Sequence, residues 1–461
     1  MNEKIKILFY LLDNAGVGLM RLKAPSVELE RGFSDLFQID IIDHQLDFNN
    51  PETIEMLKKY DIIQYHRELA PNIPQQIKLK QQLKEDKVLL ICDLDDYYHL
   101  DKSHPLYDMS IQSKMAENIL DNLILASYIT CTTNLFKNEI IKDTKKEEDS
   151  VRVFYNSINP EWQRQFRNNW EPDENGIVRI GYSAGSSHMN DVIEMEGVVN
   201  MMITDPDLRN KFKIKLIGWD AAGTTSDVNV SENFMKFLQK KGLWTQQIIN
   251  ILNKHHGDAS KIPFLTPEEK VRFKNHIFDI KQRDIRSEES FYKFYEEILT
   301  DRYNLIKDQD YLKWLKTYER GERHNDTFER VWTRPATVYA EELDRLDIQL
   351  SPLANTKFNW MKSNLKQVEA FSRKLPIVCS GIQPYTEDGR NWENCVLIPN
   401  KKNQARDWYR ALKKLILNPD LRTQLGNQLY EDFKDKYNLK NVTQKRAEFY
   451  KSIVEKARQI N

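Results

Sequence analysis

Short apolar runs alternate with helix-compatible segments over the first third of the chain. Runs such as Lys4 to Leu12 and Val88 to Leu94 have the length and continuous apolar character of strands buried on both faces. Alternation of such strands with helices predicts a parallel sheet wound on both sides by helices. The other strands predicted here are Gln38 to Asp43, Asp61 to His66, Tyr128 to Thr132 and Val151 to Tyr155, and the helices are Pro25 to Phe37, Pro51 to Lys59, Asn72 to Glu85, Ser110 to Ala126 and Asn134 to Ile141.

The same alternation starts again at Val178, so a second sheet of the same kind is predicted. After Cys395 to Pro399, which is predicted to be the last strand, the chain is helical to its end. The remaining strands predicted in this half are Lys213 to Asp220, Asp347 to Leu353 and Pro376 to Ser380, and the helices are Ala340 to Leu346, Ala405 to Leu417, Pro419 to Tyr437 and Val442 to Arg458.

Residues 221–330 interrupt the second half with a Lys-, Glu- and Tyr-rich stretch of helical periodicity, which predicts a helical insertion large enough for a small core. Tyr311, Trp314 and Tyr318 fall on one stripe at helical spacing. Aromatic residues mixed with Lys and Arg also suit binding of single-stranded nucleic acid. Acidic residues nearly balance the basic ones in this stretch, which favours packing over binding of nucleic acid.

Composition restricts the function classes further. The chain has 461 residues, 40% hydrophobic and 30% charged, which is typical of a folded globular protein with room for two domains. Its formal net charge of −1 gives no overall attraction to nucleic acid or to an anionic membrane. No apolar run has the length of a membrane span, so a cytoplasmic location is expected. The four cysteines show no metal-ligand spacing and are expected to be reduced.

The stretch from Asp347 to Ser380 carries the most specific chemistry. It predicts a strand, a polar loop, a helix that opens near Ser363, and a second buried strand. A helix start between parallel strands presents free backbone N–H groups to an anion, and Lys362 lies at that start. Lys366 and Glu369 follow at a spacing that places both side chains on one helix face. These residues predict a site for a nucleotide diphosphate.

This stretch resembles the nucleotide-sugar site of retaining GT-B glycosyltransferases, the "group 1" or GT4-like family. Glu369 and the strand LPIVCS match the family pattern, in the version Lys-Ser-x-x-Lys-x-x-Glu, whereas Met361 stands where a second Glu touches the donor sugar. The segment Asn156 to Pro160 is similar to the family's interdomain crossing. Gly181 to Asp191 is similar to the opening of its second domain, with His188 as a donor-binding residue.

The resemblance implies an α/β GT-B fold, two Rossmann-like domains facing a cleft. The expected limits are 1–170 for an acceptor domain, 177–439 for a nucleotide-sugar domain, and 440–461 for a helix that returns to the first domain. Transfer with retention from a nucleotide-diphosphate sugar, most simply a UDP-sugar, is implied. Lys362, Ser363 and Lys366 would hold the diphosphate, and Glu369 the ribose. Neither a cofactor nor a bound metal is expected.

The resemblance also implies an acceptor side in the first half, where polar residues follow several strands. Asp93, Asp95 and Asp96 follow a buried strand and are candidate catalytic carboxylates, although an acidic strand end also caps helices. His66 and Arg67 are candidate acceptor-binding residues. A turn is predicted at residues 13–18, after the first strand, and its Gly16 and Gly18 could let a donor approach the backbone closely.

His99 and His104, close to the three aspartates, would allow a divalent metal, but the resemblance argues against one. Arg21 would either meet a phosphate or lie along the surface. The acceptor is predicted to be a glycan or a modified DNA base. Two alternatives stay open: a DNA glycosyltransferase of the phage type, and a protein that binds nucleotide sugars without transferring them.

Overall fold

A computed structural model describes residues 3–12, 16–104, 106–184, 188–219, 227–230, 232–243, 248, 252, 261–263, 265–273, 277–281, 327–332, 335–401 and 404–459. The strands are β1 Ile5–Tyr10, β2 Phe37–Ile42, β3 Ile62–His66, β4 Leu89–Asp93, β5 Tyr128–Cys131, β6 Val151–Val153, β7 Val178–Ser183, β8 Phe212–Trp219, β9 Asp227–Val230, β10 Ile277–Lys281, β11 Phe328–Trp332, β12 Ile348–Ser351, β13 Ile377–Ser380 and β14 Val396–Ile398.

Helices surround these strands. They are α1 Gly16–Gly18, α2 Ala24–Phe33, α3 Pro51–Leu57, α4 Ile73–Lys84, α5 Tyr107–Gln112, α6 Met115–Leu125, α7 Asn134–Thr144, α8 Met189–Val192, α9 Val198–Thr204, α10 Glu232–Lys240, α11 Pro267–Phe273, α12 Lys357–Trp360, α13 Leu365–Phe371, α14 Ala405–Leu417, α15 Pro419–Phe433 and α16 Leu439–Gln459. A π-helical turn, Leu19–Lys23, joins α1 to α2.

The first sheet has the order β2-β1-β3-β4-β5-β6, and its strand pairs are all parallel. The chain adds β2 on one side of β1 and all later strands on the other. The strand order therefore reverses between β1 and β3, which opens a crevice at their carboxyl ends. His66 ends β3 and Asp93 ends β4 at this edge.

The second sheet has the order β11-β8-β7-β12-β13-β14, again with parallel pairs. Here the order reverses between β7 and β12, so the second crevice opens beyond Ser183 and Ser351. Helices α9 and α14 pack together on one face. Helices α13 and α15 pack together and share the apolar cluster of the other face.

Two neighbouring chain segments connect the sheets. Ile158 lies in the segment that leaves the first sheet, and it is hydrogen-bonded to the segment that leads back to that sheet. Its N–H donates to Tyr437 O (3.1 Å), and its carbonyl accepts from Leu439 N (2.9 Å). Helix α16 then packs against the first sheet, where Phe449 and Tyr450 join the apolar cluster of Ile7 and its neighbours. The last helix therefore belongs structurally to the first domain, while the domain limits given above stay a prediction.

The predicted insertion contains strands as well as helices. β9 and β10 pair antiparallel, a feature that the helical periodicity did not predict. Apolar residues around α10 form a small separate cluster that includes Phe234 and Leu238. β11 begins at Phe328 and pairs with β8, so the second sheet resumes before the predicted end of the insertion at residue 330. The aromatic stripe from Tyr311 to Tyr318 lies outside the described residues.

The predicted turn after β1 is wrong for residues 16–18, which form α1 and lead directly into the π-helical turn. Gly18 has a right-handed helical backbone, with φ of −58°. Neither Gly16 nor Gly18 is held in a conformation that needs a glycine. Residues 13–15, the start of that predicted turn, lie outside the described residues. Among the described helices, none combines the length and apolar character of a membrane span.

Candidate active site

The loop between α12 and α13, residues 361–364, lies beyond β12 at the crevice of the second sheet. We call it the donor loop. Thr356 caps α12, with Oγ1 accepting from Asn359 N at 3.2 Å. At the other end, Asn364 Nδ2 donates to Tyr437 OH at 2.7 Å, and α13 begins at Leu365 rather than near Ser363. Side chains on both sides therefore fix the loop that carries Lys362 and Ser363.

Glu369 is fully buried on α13, and both of its carboxylate oxygens accept hydrogen bonds. Tyr339 OH donates to Oε1 at 2.5 Å, and Lys366 Nζ donates to Oε2 at 2.9 Å. Burial and the Glu369 charge raise the pKa of Tyr339 well above its ordinary value, so Tyr339 remains a donor. The side chain of Lys366 stays 23% exposed. Because Glu369 is fully buried, side chains around it have to move before a ribose can reach the carboxylate.

His188 follows β7 and forms a dyad with Asp191. His188 Nδ1 lies 2.7 Å from Asp191 Oδ2, while Asp191 Oδ1 accepts from Ala354 N (2.8 Å) and Asn359 Nδ2 (2.7 Å). Burial raises the pKa of Asp191, but His188, Lys362 and the Ala354 N–H more than offset it, so the pKa lies below its ordinary value. Because an ionised carboxylate can only accept, Nδ1 carries the proton and Nε2 is left for a ligand.

Positive charge surrounds this dyad. Burial lowers the pKa of His188, the Lys362 ammonium lowers it further, and Asp191 acts in the opposite direction. The pKa of His104, in the first domain, is also lowered, by burial and by the charges of Lys362 and His188. The negative charge of Asp96 raises the pKa of His104 and so partly opposes this shift. These charges suit an anion, and the lowered pKa of His188 favours its neutral imidazole.

An anion at this site should raise the pKa of His188. Without a ligand the pKa of His188 lies below its ordinary value, and a diphosphate stabilises the protonated form, so binding should take up a proton. UDP affinity should then increase as the pH falls through the pKa of the bound state. Isothermal titration calorimetry of UDP in buffers of different ionisation enthalpy measures this uptake. His188→Gln is the control for protonation of the nucleotide itself. Equal uptake in parent and variant would show that His188 does not meet the phosphate.

Met361, in the position where the resembled family has a Glu, has a buried side chain in apolar surroundings. It is 3% exposed and packs in the apolar cluster under the first sheet, together with Phe358. Lys357 of the same segment forms an ion pair with Glu139 of the first domain, and Phe358 N donates to Asp101 Oδ2 at 3.1 Å. The segment from Lys357 to Met361 is therefore an interdomain contact, which explains the apolar residue at position 361.

Introducing the Glu of the resembled family at position 361 should destabilise this protein. Met361→Glu places a carboxylate in an apolar cluster, which costs on the order of several kcal/mol when the charge is unpaired. We expect a clear drop in melting temperature and no gain in donor affinity. Met361→Leu is the matched control, because a volume-conserving exchange costs less than about 1.5 kcal/mol. A Glu variant that melts like the parent and binds a nucleotide sugar more tightly would contradict this interpretation.

Asp93 and Arg21 form a buried ion pair rather than substrate contacts. Arg21 is 1% exposed, and its Nε and Nη2 donate to the two oxygens of Asp93 at 2.8 and 2.9 Å. Thr130 Oγ1 also donates to Asp93. Both sequence-based expectations for Arg21, a phosphate contact or a surface position, are wrong. Asp93 is 0% exposed and is bound to Arg21 and Thr130, while the catalytic role predicted for it stays a prediction.

The other acceptor-side residues come together at the ends of β3 and β4. His66 Nε2 lies 2.8 Å from Asp95 Oδ1, and Arg67 Nη2 donates to the same oxygen at 3.4 Å. Burial alone would raise the pKa of Asp95, but His66, Arg67 and Arg21 hold it below its ordinary range. Asp95 is therefore an ionised partner of His66 and Arg67. Their predicted roles in acceptor binding and catalysis stay predictions.

Several residues of the site were not identified from the sequence. Asp191 ends the segment Gly181 to Asp191, but the sequence analysis named only His188 in it as a binding residue. The spacing of the two is that of neighbours on one helix face. Asn359 and Tyr339 carried no local signal, because their partners are distant in sequence. Across the described part of the chain, no group of three His, Cys, Asp or Glu side chains is placed to hold a metal ion.

Comparison with known proteins gives structural neighbours only. No family model and no curated protein matches the sequence. HepE of Anabaena, solved with UDP-glucose, superposes with a TM-score of 0.52 at 10% identity, covering 97% of this chain and 100% of HepE. A glycosyltransferase from Rickettsia africae gives 0.54 at 12%, covering 98% and 99%. Sucrose-phosphate synthase from Thermosynechococcus elongatus gives 0.53 at 10%, covering 98% and 100%. The predicted fold, two Rossmann-like domains facing a cleft, is confirmed.

Proposed function

We propose that this chain is a glycosyltransferase that moves a sugar from a nucleotide-diphosphate sugar, most simply a UDP-sugar, to an acceptor hydroxyl. The observation that carries the proposal is the cluster of Lys362, Ser363, Lys366 and His188 at the crevice of the second sheet, the place where open α/β sheets bind ligands. Glu369 lies one turn beyond Lys366 on α13, and we assign it to the ribose. HepE, which shares the fold, is solved with UDP-glucose.

The charged groups suit departure of a diphosphate. Lys362 would neutralise the charge that develops on the leaving phosphate, and Ser363 would donate to one of its oxygens. Electrostatic stabilisation of this kind is often the largest single contribution to catalysis. Lys366 now pairs with Glu369. A bound nucleotide would offer each a new partner, with the ammonium turned to phosphate and the carboxylate to the ribose hydroxyls.

The acceptor would lie against the first domain, near Asp95, His66 and Arg67. We propose transfer with retention, in which the leaving phosphate helps to deprotonate the acceptor on the same face. The protein then mainly orients the two substrates, and orientation alone can supply a large part of a rate enhancement.

Nucleotide release tests the proposal. The purified protein is incubated with UDP-, GDP- and ADP-sugars, with and without acceptors that include simple glycosides and hydroxymethylated DNA. We expect one nucleotide class to be released, faster with one acceptor class than without. Product anomers determined by NMR would then test retention. Binding of a nucleotide sugar without release under any condition would overturn the transferase proposal.

A further inference from the structure

One hydrogen bond joins the donor loop to the opposite domain. Asn156 Nδ2 donates to Ser363 Oγ at 2.7 Å, although the two residues are 207 positions apart. Asn156 follows β6 in the segment that leaves the first sheet and is 6% exposed. Ser363 is half-buried. A group that would touch the diphosphate is thus held by a residue of the acceptor-side domain.

The orientation of the Asn156 amide is set by Arg21. Arg21 Nη1 donates to Asn156 Oδ1 at 3.1 Å and to Phe154 O at 2.6 Å. A guanidinium has no acceptor, so the Asn156 atom facing it must be the carbonyl oxygen. The NH2 group then faces Ser363. Arg21 is in turn fixed by Asp93, so the buried ion pair holds the amide in one orientation.

This orientation decides what the Ser363 hydroxyl can do. Since Asn156 donates to Oγ, the Ser363 proton cannot point at Asn156 and stays available to donate elsewhere. A hydroxyl that donates to an ionised phosphate forms a strong, charge-assisted hydrogen bond. If the residue at 156 were an acceptor, Ser363 would instead donate to it and would present only a lone pair to the phosphate.

We propose that Asn156 is a positioning residue, supported by Arg21 and Asp93, that makes the Ser363 hydroxyl a hydrogen-bond donor toward the nucleotide diphosphate. This inference rests on the proposed function, because it takes the donor loop as the diphosphate site. The acceptor-side domain then contributes to donor binding without touching the donor.

A double-mutant cycle measured with UDP by calorimetry tests the proposal. Loss of a hydrogen bond to a charged group should weaken binding about tenfold in Ser363→Ala, and Asn156→Ala should weaken it about fivefold. The double variant should bind no worse than Ser363→Ala alone. Asn156→Asp should be weaker than Asn156→Ala, because it keeps the Arg21 contact but reverses the Ser363 hydroxyl and adds a negative charge.

Asn159→Ala is the matched control. Asn159 is also an asparagine of low exposure in the same segment, but its Nδ2 donates to Glu28. It should lower the melting temperature without changing UDP affinity. The positioning role would be overturned if the two alanine changes weakened UDP binding independently, so that their effects multiplied. It would also be overturned if Asn156→Ala or Ser363→Ala bound UDP as tightly as the parent. Neither result would contradict the donor site itself. If the parent binds none of UDP, GDP and ADP, the proposed function fails and this inference with it.

Discussion

Replacing Asp93 by alanine is expected to destabilise the protein by about 3–5 kcal/mol, because it leaves Arg21 as an uncompensated buried charge. The pair is inaccessible to solvent, with Arg21 1% and Asp93 0% exposed. Thr130, which also donates to Asp93, would lose its acceptor as well. Thermal or urea unfolding of the purified variant measures the effect.

Asp96→Ala is the control for this prediction. Asp96 is half-buried at the same strand end, and we expect a change near zero, within about 0.5 kcal/mol, as for ordinary surface positions. Asp93→Asn keeps the shape of the side chain and should lie between the two. A well-folded Asp93→Ala protein with the parental melting temperature but no turnover would restore a catalytic role to Asp93.

Glu369→Ala is expected to weaken nucleotide binding by about ten- to a hundredfold, which is the range for loss of hydrogen bonds to a charged group. The change removes the proposed ribose acceptor and releases Lys366 from its ion pair. Equilibrium titration with UDP measures the loss. Glu369→Gln should be affected less, because the amide oxygen can still accept from a ribose hydroxyl.

Glu28→Ala provides the matched control for Glu369. Glu28 is also buried, and its Oε2 accepts from Asn159 Nδ2 and Trp162 Nε1, but it belongs to the first domain. We expect a comparable loss of stability with unchanged UDP affinity. Equal donor affinity in Glu369→Ala and the parent would refute the place of Glu369 in the donor site.

The sequence predicted those features that depend on local pattern. β4, Leu89–Asp93, and β13, Ile377–Ser380, lie within apolar runs that were expected to be strands, because a strand buried on both faces needs a continuous apolar run. The contact between Lys366 and Glu369 followed from helical spacing, since residues three apart share a helix face. His188, which the resemblance singled out, contacts Asp191 at the end of the same motif, and its donor-binding role stays a prediction.

The sequence did not predict contacts between distant residues. Arg21 and Asp93 are 72 positions apart, and no periodicity connects a helix start with the end of a later strand. Met361 was interpreted as a missing sugar contact, because its burial depends on the other domain. The antiparallel pair of β9 and β10 lies in a stretch whose helical periodicity concealed it. These features depend on contacts between residues that are far apart in the sequence, which a local pattern does not encode.

Contacts across the domain interface fix the position of the donor loop. Phe358, in α12, and Met361, the first residue of the loop, pack in the first domain, and Asn156 holds Ser363 from the same side. Lys362 lies between these two contacts. A change in the angle between the domains would therefore move the groups that we assign to the diphosphate.

A crystal structure of the protein with bound UDP tests the central claim most directly. The account predicts diphosphate oxygens at hydrogen-bond distance, about 2.7–3.2 Å, from Lys362 Nζ and Ser363 Oγ, with Glu369 turned toward the ribose. UDP bound elsewhere, for example at the crevice of the first sheet beside Gly16, would contradict it.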